Sequence, residues 1–297
     1  MYKLVIIALL LFLTGCNKEL NLKDAEGTKE ININPITEES ISPQNESYIN
    51  PEGMTVQDRY LPPKNYTRVD VEEGGFEEFL RTQKLKPHGE KVLYYNGREK
   101  TNEGIYDSVF DVDIGDRNLH QCADAIMLLR AEYLYSKGQY DDIEFNFVSG
   151  FKAKYKKWRE GYRIKVDGSN VSYYAATEPS NSYETFRKYM DMVFAYSGTL
   201  SLEKELESVN IDDMQIGDIF IIGGSPGHAV IVVDMAINDE GEKVFLLAQS
   251  YMPAQQTQLL INPVDEEINP WYSLKEKEKL VTPQWTFGLD ELKRFVD

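Results

Sequence analysis

Residues 217–249 constrain the fold more than any other stretch of the chain. Gly217-Asp-Ile-Phe-Ile-Ile-Gly-Gly runs into a tight loop, Ser225-Pro226-Gly227. His228-Ala-Val-Ile-Val-Val-Asp follows, then the turn Asn238-Asp-Glu-Gly241, then a largely apolar run from Lys243 to Gln249. Short β-branched runs bounded by turn residues read as buried strands. Connections this short join antiparallel neighbours, because a parallel crossover needs about a dozen residues or more. The region therefore predicts successive antiparallel strands at the centre of the molecule.

The remaining sequence alternates helix and strand signals. Gly74 to Leu85 predicts a short helix, Lys91 to Tyr95 a strand closed by the Asn96-Gly97 turn, and Ile105 to Ile114 another strand. Cys122, Ile126, Leu129 and Tyr133 share one helical face in the segment that Gly138 would end, with Asn118 or Asp116 as cap. Ile143 to Val148 predicts a strand and Phe151 to Trp158 a short helix. Arg163 to Tyr174 predicts a hairpin turning at Asp167-Gly168. Tyr183 to Tyr196 and Leu200 to Leu206 predict helices, with Thr199 capping the second. Leu289 to Phe295 predicts a last helix. The fold class is α+β.

The N-terminus speaks to location. Lys3 precedes an apolar run from Leu4 to Leu13. That run is half of the roughly 20 residues that a bilayer requires. It reads as an export signal. It ends in Leu13-Thr14-Gly15-Cys16, which resembles the lipobox of bacterial lipoproteins. The resemblance implies cleavage after residue 15 and a lipid on Cys16; the plain alternative is a secretory signal with a chance cysteine. Residues 16–55, rich in Asn, Glu, Ser, Pro and Ile, are expected to tether the anchor to a single domain over 56–297. The expected location is the cell envelope, with the outer membrane favoured because Asn17 follows the cysteine. Without residues 1–15 the chain loses the charge of Lys3, and the formal net charge moves from −17 to −18. So acidic a chain repels phosphate backbones, and nucleic acid is an unsuitable partner.

The chain has two cysteines. If Cys16 carries lipid, Cys122 has no partner within the chain, in a compartment that oxidises thiols. A cysteine nucleophile needs a stabilised sulfur, a base in reach and a polar group that orients the base. Cys122 sits in the first turn of its helix, where unpaired N–H groups favour a thiolate; as part of an apolar stripe, it is also simply a small buried residue. There are three histidines. His88 lies in a Pro-His-Gly turn, and His120 is two positions from Cys122, a spacing that does not share a helix face. His228 opens a strand behind a glycine-rich loop and is the candidate base; its plain reading is a hydrogen-bonded core histidine. A hairpin turning at Asp239-Glu240 would set His228 opposite Tyr251, with Gln249 its diagonal neighbour on the same face. A one-residue slip would present Ser250 instead.

Helix-borne Cys122, strand-borne His228 and a polar residue on the next strand resemble the papain-like core of NlpC-type cell-wall cysteine peptidases and amidases. Gly217-Asp218-Ile-Phe-Ile before Gly227-His228-Ala-Val-Ile-Val-Val-Asp234 is similar to their Gly-Asp and Gly-His strands. The resemblance implies an antiparallel sheet carrying His228 with the Cys122 helix packed on it, extra N-terminal elements, and an insertion between 138 and 215. It departs at Gln121-Cys122-Ala123-Asp124, where those enzymes usually have Asp before the nucleophile and Ser-Gly after it. Gln121-Cys-Ala-Asp-Ala, Phe145-Asn-Phe-Val-Ser-Gly-Phe, Gly198-Thr-Leu-Ser-Leu, Pro226-Gly-His-Ala-Val-Ile-Val-Val-Asp and Leu247-Ala-Gln-Ser-Tyr-Met-Pro-Ala-Gln are similar to an uncharacterised bacterial lipoprotein family, labelled only as a domain of unknown function.

Other motifs carry less. Gly223-Gly-Ser225-Pro-Gly227 has the spacing of a nucleophile elbow, but a strand rather than a helix follows. Asp111, Asp113 and Asp116 lack EF-hand spacing and fit a capping role better. No zinc spacing occurs, and no metal or cofactor is expected. Lys152, Lys154, Lys156, Lys157, Arg159 and Arg163, with Tyr155 and Trp158 among them, form a basic stretch. It is either a dock for carboxylate-bearing peptides or a solvated face, the plainer reading. The sequence thus predicts an envelope lipoprotein acting as a cysteine hydrolase through Cys122, His228 and Gln249, with Tyr155, Trp158, Arg163 and Tyr251 as candidate binding residues. By resemblance, its substrates would be cell-wall peptides. A non-catalytic binding lipoprotein and an acyltransferase on the same scaffold are the alternatives.

Overall fold

The computed structural model describes residues 48–296. The signal segment, Cys16 and most of the expected tether lie outside the described residues. The last part of that tether, from Tyr48 on, is folded instead. Leu61 N–H donates to the Tyr48 carbonyl at 2.8 Å and Asn50 N–H to the Arg59 carbonyl at 2.7 Å. The described residues form one compact unit.

The fold is mixed α+β, dominated by one large antiparallel sheet with few helices. Its strands lie in the order Tyr106–Val109, Gln258–Leu260, Lys243–Gln249, His228–Ile237, Ile219–Ile222, Leu292–Arg294 and Glu207–Ser208. Thr67–Arg68 and Tyr272–Ser273 pair outside this path, with the His228 strand and the Lys243 strand. The central strands are buried on both faces, which explains their unbroken apolar runs. The turn between them is set by Asn238, whose Oδ1 accepts from Glu240 and Glu242 N–H, and by Gly241 at φ +83°.

Register in this hairpin changes partway. Near the turn, Lys243 pairs with Ile237 and Leu246 with Asp234. Beyond it, Leu247 pairs with Val232 and Ala248 with Ile231, so Val233 is an extra residue in a β-bulge. The shifted half carries the register expected from a turn at Asp239-Glu240, and His228 lies in that half.

Cys122–Ser136 packs across the two central strands. Every residue from Cys122 to Leu129 is buried, so its first half is embedded rather than amphipathic. Gln121, not Asn118 or Asp116, is the N-cap, and its N–H donates to Asp124 Oδ2 at 2.9 Å. Asp113 instead accepts from Gly115 N–H. Gly138, at φ +72°, ends the helix as expected. Tyr183–Tyr196 starts at Ser182, whose Oγ accepts from Thr185 N–H at 3.2 Å. It buries Phe186, Tyr189, Met190, Val193 and Phe194, a 3–4 spacing that makes one face.

Four further local expectations fail. Lys91 to Tyr95 forms no strand, only isolated bridges of Leu93 with Glu99 and of Tyr94 with Gln255. Lys152–Lys154 is a strand paired with Glu144–Asn146, and the helix begins only at Tyr155. Gly198 caps Thr199–Glu205, of which Thr199 is the first residue. Residues 289–295 make a 3₁₀ turn and then the strand Leu292–Arg294. There Arg294 grips the fully buried Asp218 on the neighbouring segment with two hydrogen bonds, 2.6 and 2.8 Å, which favours strand over helix. Asp234, also fully buried, takes Arg68 Nε and Arg81 Nε at 2.7 Å each and so ties the N-terminal segment to the central strand.

Candidate functional site

Cys122 is the first residue of its helix and 7% exposed. The N–H groups of Ala123, Ala229 and Cys122 itself face its sulfur. Ala229 follows His228 on the central strand, so the helix start and the histidine strand meet at the thiol. His228 is 1% exposed, and its Nε2 lies 2.7 Å from Gln249 Oε1. Tyr251 stands 4.9 Å from the imidazole, ring centre to centre, and Trp285 stands 5.3 Å away. Both rings are partly exposed, whereas the imidazole between them and Phe287 is not.

The electrostatics describe a neutral resting pair. Burial pushes the Cys122 thiol up to about 11, Asp124 adds to the rise, and the three N–H groups oppose it. The helix N-terminus alone favours a thiolate; burial outweighs it. Burial also pulls His228 down to about 4, the Gln249 contact opposes this, and the charge of Lys100 adds to it. Asp124 is lifted by burial to about 8, and its Oδ1 has no partner. At neutral pH it is therefore mostly a neutral acid.

The other candidates divide. Tyr251 belongs with Cys122 and His228. Tyr155 and Trp158 are core residues, 0% and 6% exposed, within a cluster of rings that includes Tyr135, Phe186 and Tyr189. Tyr135 is in the last turn of the Cys122 helix, about 20 Å from its start at 1.5 Å per residue, so the structure does not bring these residues to Cys122. Arg163 stacks over Trp158 at 4.3 Å. The neighbouring basic residues are paired: Lys152 and Lys154 with Glu144, Lys156 and Arg159 with Asp141, Lys157 with Glu160. His120 is fully buried, held by Thr257 Oγ1 at 3.0 Å, and pulled by burial down to about 3. Among the described residues, no three His, Cys, Asp or Glu side chains converge as metal ligands.

Sequence reasoning missed Lys100, Gln284 and Trp285. They come from segments without a clear period, and only the fold gathers them around Gln249 and His228. Two cavities among the described residues, of about 870 and 620 Å³, lie away from the pair, with neither Cys122 nor His228 in their walls.

Residues 56–294 match the family model described as Domain of unknown function (4846). The chain belongs to that family. Its match spans the Cys122 helix, the whole central sheet and the Gln284–Trp285 turn, so every residue of the site lies inside the shared domain. No curated protein and no solved structure matches the chain.

Proposed function

We propose that this chain is an envelope-anchored cysteine hydrolase with a papain-like core. One observation carries the reading: a buried imidazole with one nitrogen on a glutamine oxygen, on the strand whose next N–H meets the sulfur of a helix-start cysteine. Gln249 Oε1 can only accept, so Nε2 of His228 carries the proton and Nδ1 keeps its lone pair. Cys122 Sγ attacks an acyl carbonyl, and its proton passes to Nδ1 and then to the leaving amine or alcohol. Water, deprotonated by the same imidazole, hydrolyses the thioester. The N–H groups of Cys122 and Ala123 supply donors for the developing oxyanion. Because thiol and imidazole both rest neutral, the proton moves with the attack instead of forming an ion pair beforehand. Tyr251 and Trp285 must swing away to admit a carbonyl. Peptide stems of the cell wall are the first substrate class to test, by the resemblance of the Gly-Asp and Gly-His strands.

A second reading is a binding lipoprotein with an inert thiol. The high thiol pKa and the closed surface over His228 favour it. Incubation with soluble murein peptide fragments separates the two. The hydrolase reading expects new amine and carboxyl ends, lost in Cys122→Ser and His228→Ala. Fragments retained but never cut would overturn it in favour of the binder.

A further inference from the structure

Lys100 is 4% exposed, and its ammonium meets amide oxygens: Gln258 Oε1 at 3.2 Å and Gln284 Oε1 at 3.5 Å. A protonated lysine only donates, so both amides must turn their oxygens toward it. The same Gln284 Oε1 accepts from Gln249 Nε2 at 2.8 Å. Gln249 therefore has its nitrogen toward Gln284 and its oxygen toward His228. An isolated pair of amides has no such direction. Flipped together, Gln284 would donate to Gln249, and Gln249 would donate to Nε2 of His228. The proton would then sit on Nδ1, the nitrogen that has to receive it from the thiol.

We propose that Lys100, acting through Gln284 and Gln249, is a positioning residue that sets the direction of this amide chain and so locks His228 in its Nε2–H tautomer. The catalytic meaning rests on the cysteine hydrolase reading, whereas the tautomer itself does not. The four residues come from four segments: the stretch after the Asn96-Gly97 turn, the turn closed by Thr282 N–H to the Trp285 carbonyl, and the two central strands. Such convergence is costly to assemble for packing alone, because a buried ammonium without a carboxylate gains little stability. Its value lies in being a donor that cannot reverse while it holds its proton, which burial lets it keep only up to about pH 8.

The experiment is ¹⁵N NMR of the full chain labelled at its three histidines, at neutral pH, with His228 assigned by loss of its signal in His228→Asn. The parent protein is expected to show His228 as Nε2–H. Lys100→Met and Gln284→Leu are expected to give a mixture with a substantial Nδ1–H share while the signals of His88 and His120 stay in place. Gln284→Glu, whose carboxylate only accepts, is expected to keep the parent tautomer. On a cleaved substrate, Lys100→Met should lower kcat about tenfold or more and leave KM nearly unchanged, since it acts on proton transfer. A parent His228 in the Nδ1–H form overturns the proposal, and so does an unchanged tautomer in both folded variants, Lys100→Met and Gln284→Leu. If the tautomer shifts but no substrate is ever cut, the relay stands and the hydrolase reading falls.

Discussion

Gly227 shows how little room surrounds the candidate base. A Cβ there would lie 2.4 Å from Thr199 Oγ1, 2.6 Å from the Gly224 carbonyl oxygen and 2.8 Å from that of Ile222. Two of those atoms are backbone and cannot step aside cheaply. Gly227→Ala should destabilise the fold by about 1–3 kcal/mol in urea denaturation and cut activity further by displacing His228. Asp124 offers a pH test. Burial raises its pKa to about 8 in the folded chain. From the ordinary carboxylate range up to that value, the folded state holds a proton the unfolded state has lost. Stability is therefore fully present at acid pH and falls as pH rises through this window. Asp124→Asn removes the slope. Against the parent it should gain up to about 1.4 kcal/mol per pH unit and draw level in acid. Denaturation midpoints across that range check the sign.

At the scale of elements, one ion pair adds to the strand pairing that holds Leu292–Arg294 in the sheet. Asp218 is fully buried, and Arg294 reaches both of its oxygens. Arg294→Ala leaves that carboxylate unpaired and should cost about 2–4 kcal/mol, somewhat under the usual figure for a buried pair because the arginine is partly exposed. Chemical denaturation measures it, and Arg294→Lys should recover only part, since an ammonium cannot make the two-pronged contact. This strand also marks where sequence stops informing. Leu289 to Phe295 has a helical spacing, but the pairing of Leu292 with Phe220 overrides it. Lys152–Lys154 likewise becomes a strand because Glu144–Asn146 lies beside it. By contrast, the His228 and Lys243 strands were legible, since turn chemistry and unbroken apolar runs point the same way. The Gln249 contact was legible through register, because the Val233 bulge leaves the His228 half in the expected pairing. Lys100 and Gln284 were not, since nothing local connects Lys100 with partners 158 and 184 positions away, or Gln284 with Gln249 35 positions away.

At the scale of the whole molecule, charge limits which surfaces the chain can approach. A net charge of −17 keeps the chain from anionic surfaces, so any membrane attachment must come from elsewhere. Among the described residues no helix is long and apolar enough to cross a membrane. If Cys16 is lipidated, Cys16→Ala should move the protein from the membrane fraction to the soluble envelope fraction. Mass spectrometry of the N-terminal peptide should then show the loss of acyl chains. The same cysteine count leaves Cys122 as the other thiol, buried against the histidine strand. The measurement that bears most directly on that thiol is acylation by a small activated ester, p-nitrophenyl acetate, followed by acid quench and peptide mapping of the folded chain. The account predicts an acetyl thioester at Cys122 that forms about 10²-fold or more slowly in His228→Ala. A folded chain in which Cys122 stays unmodified, or acetylates at the same rate without His228, would contradict it.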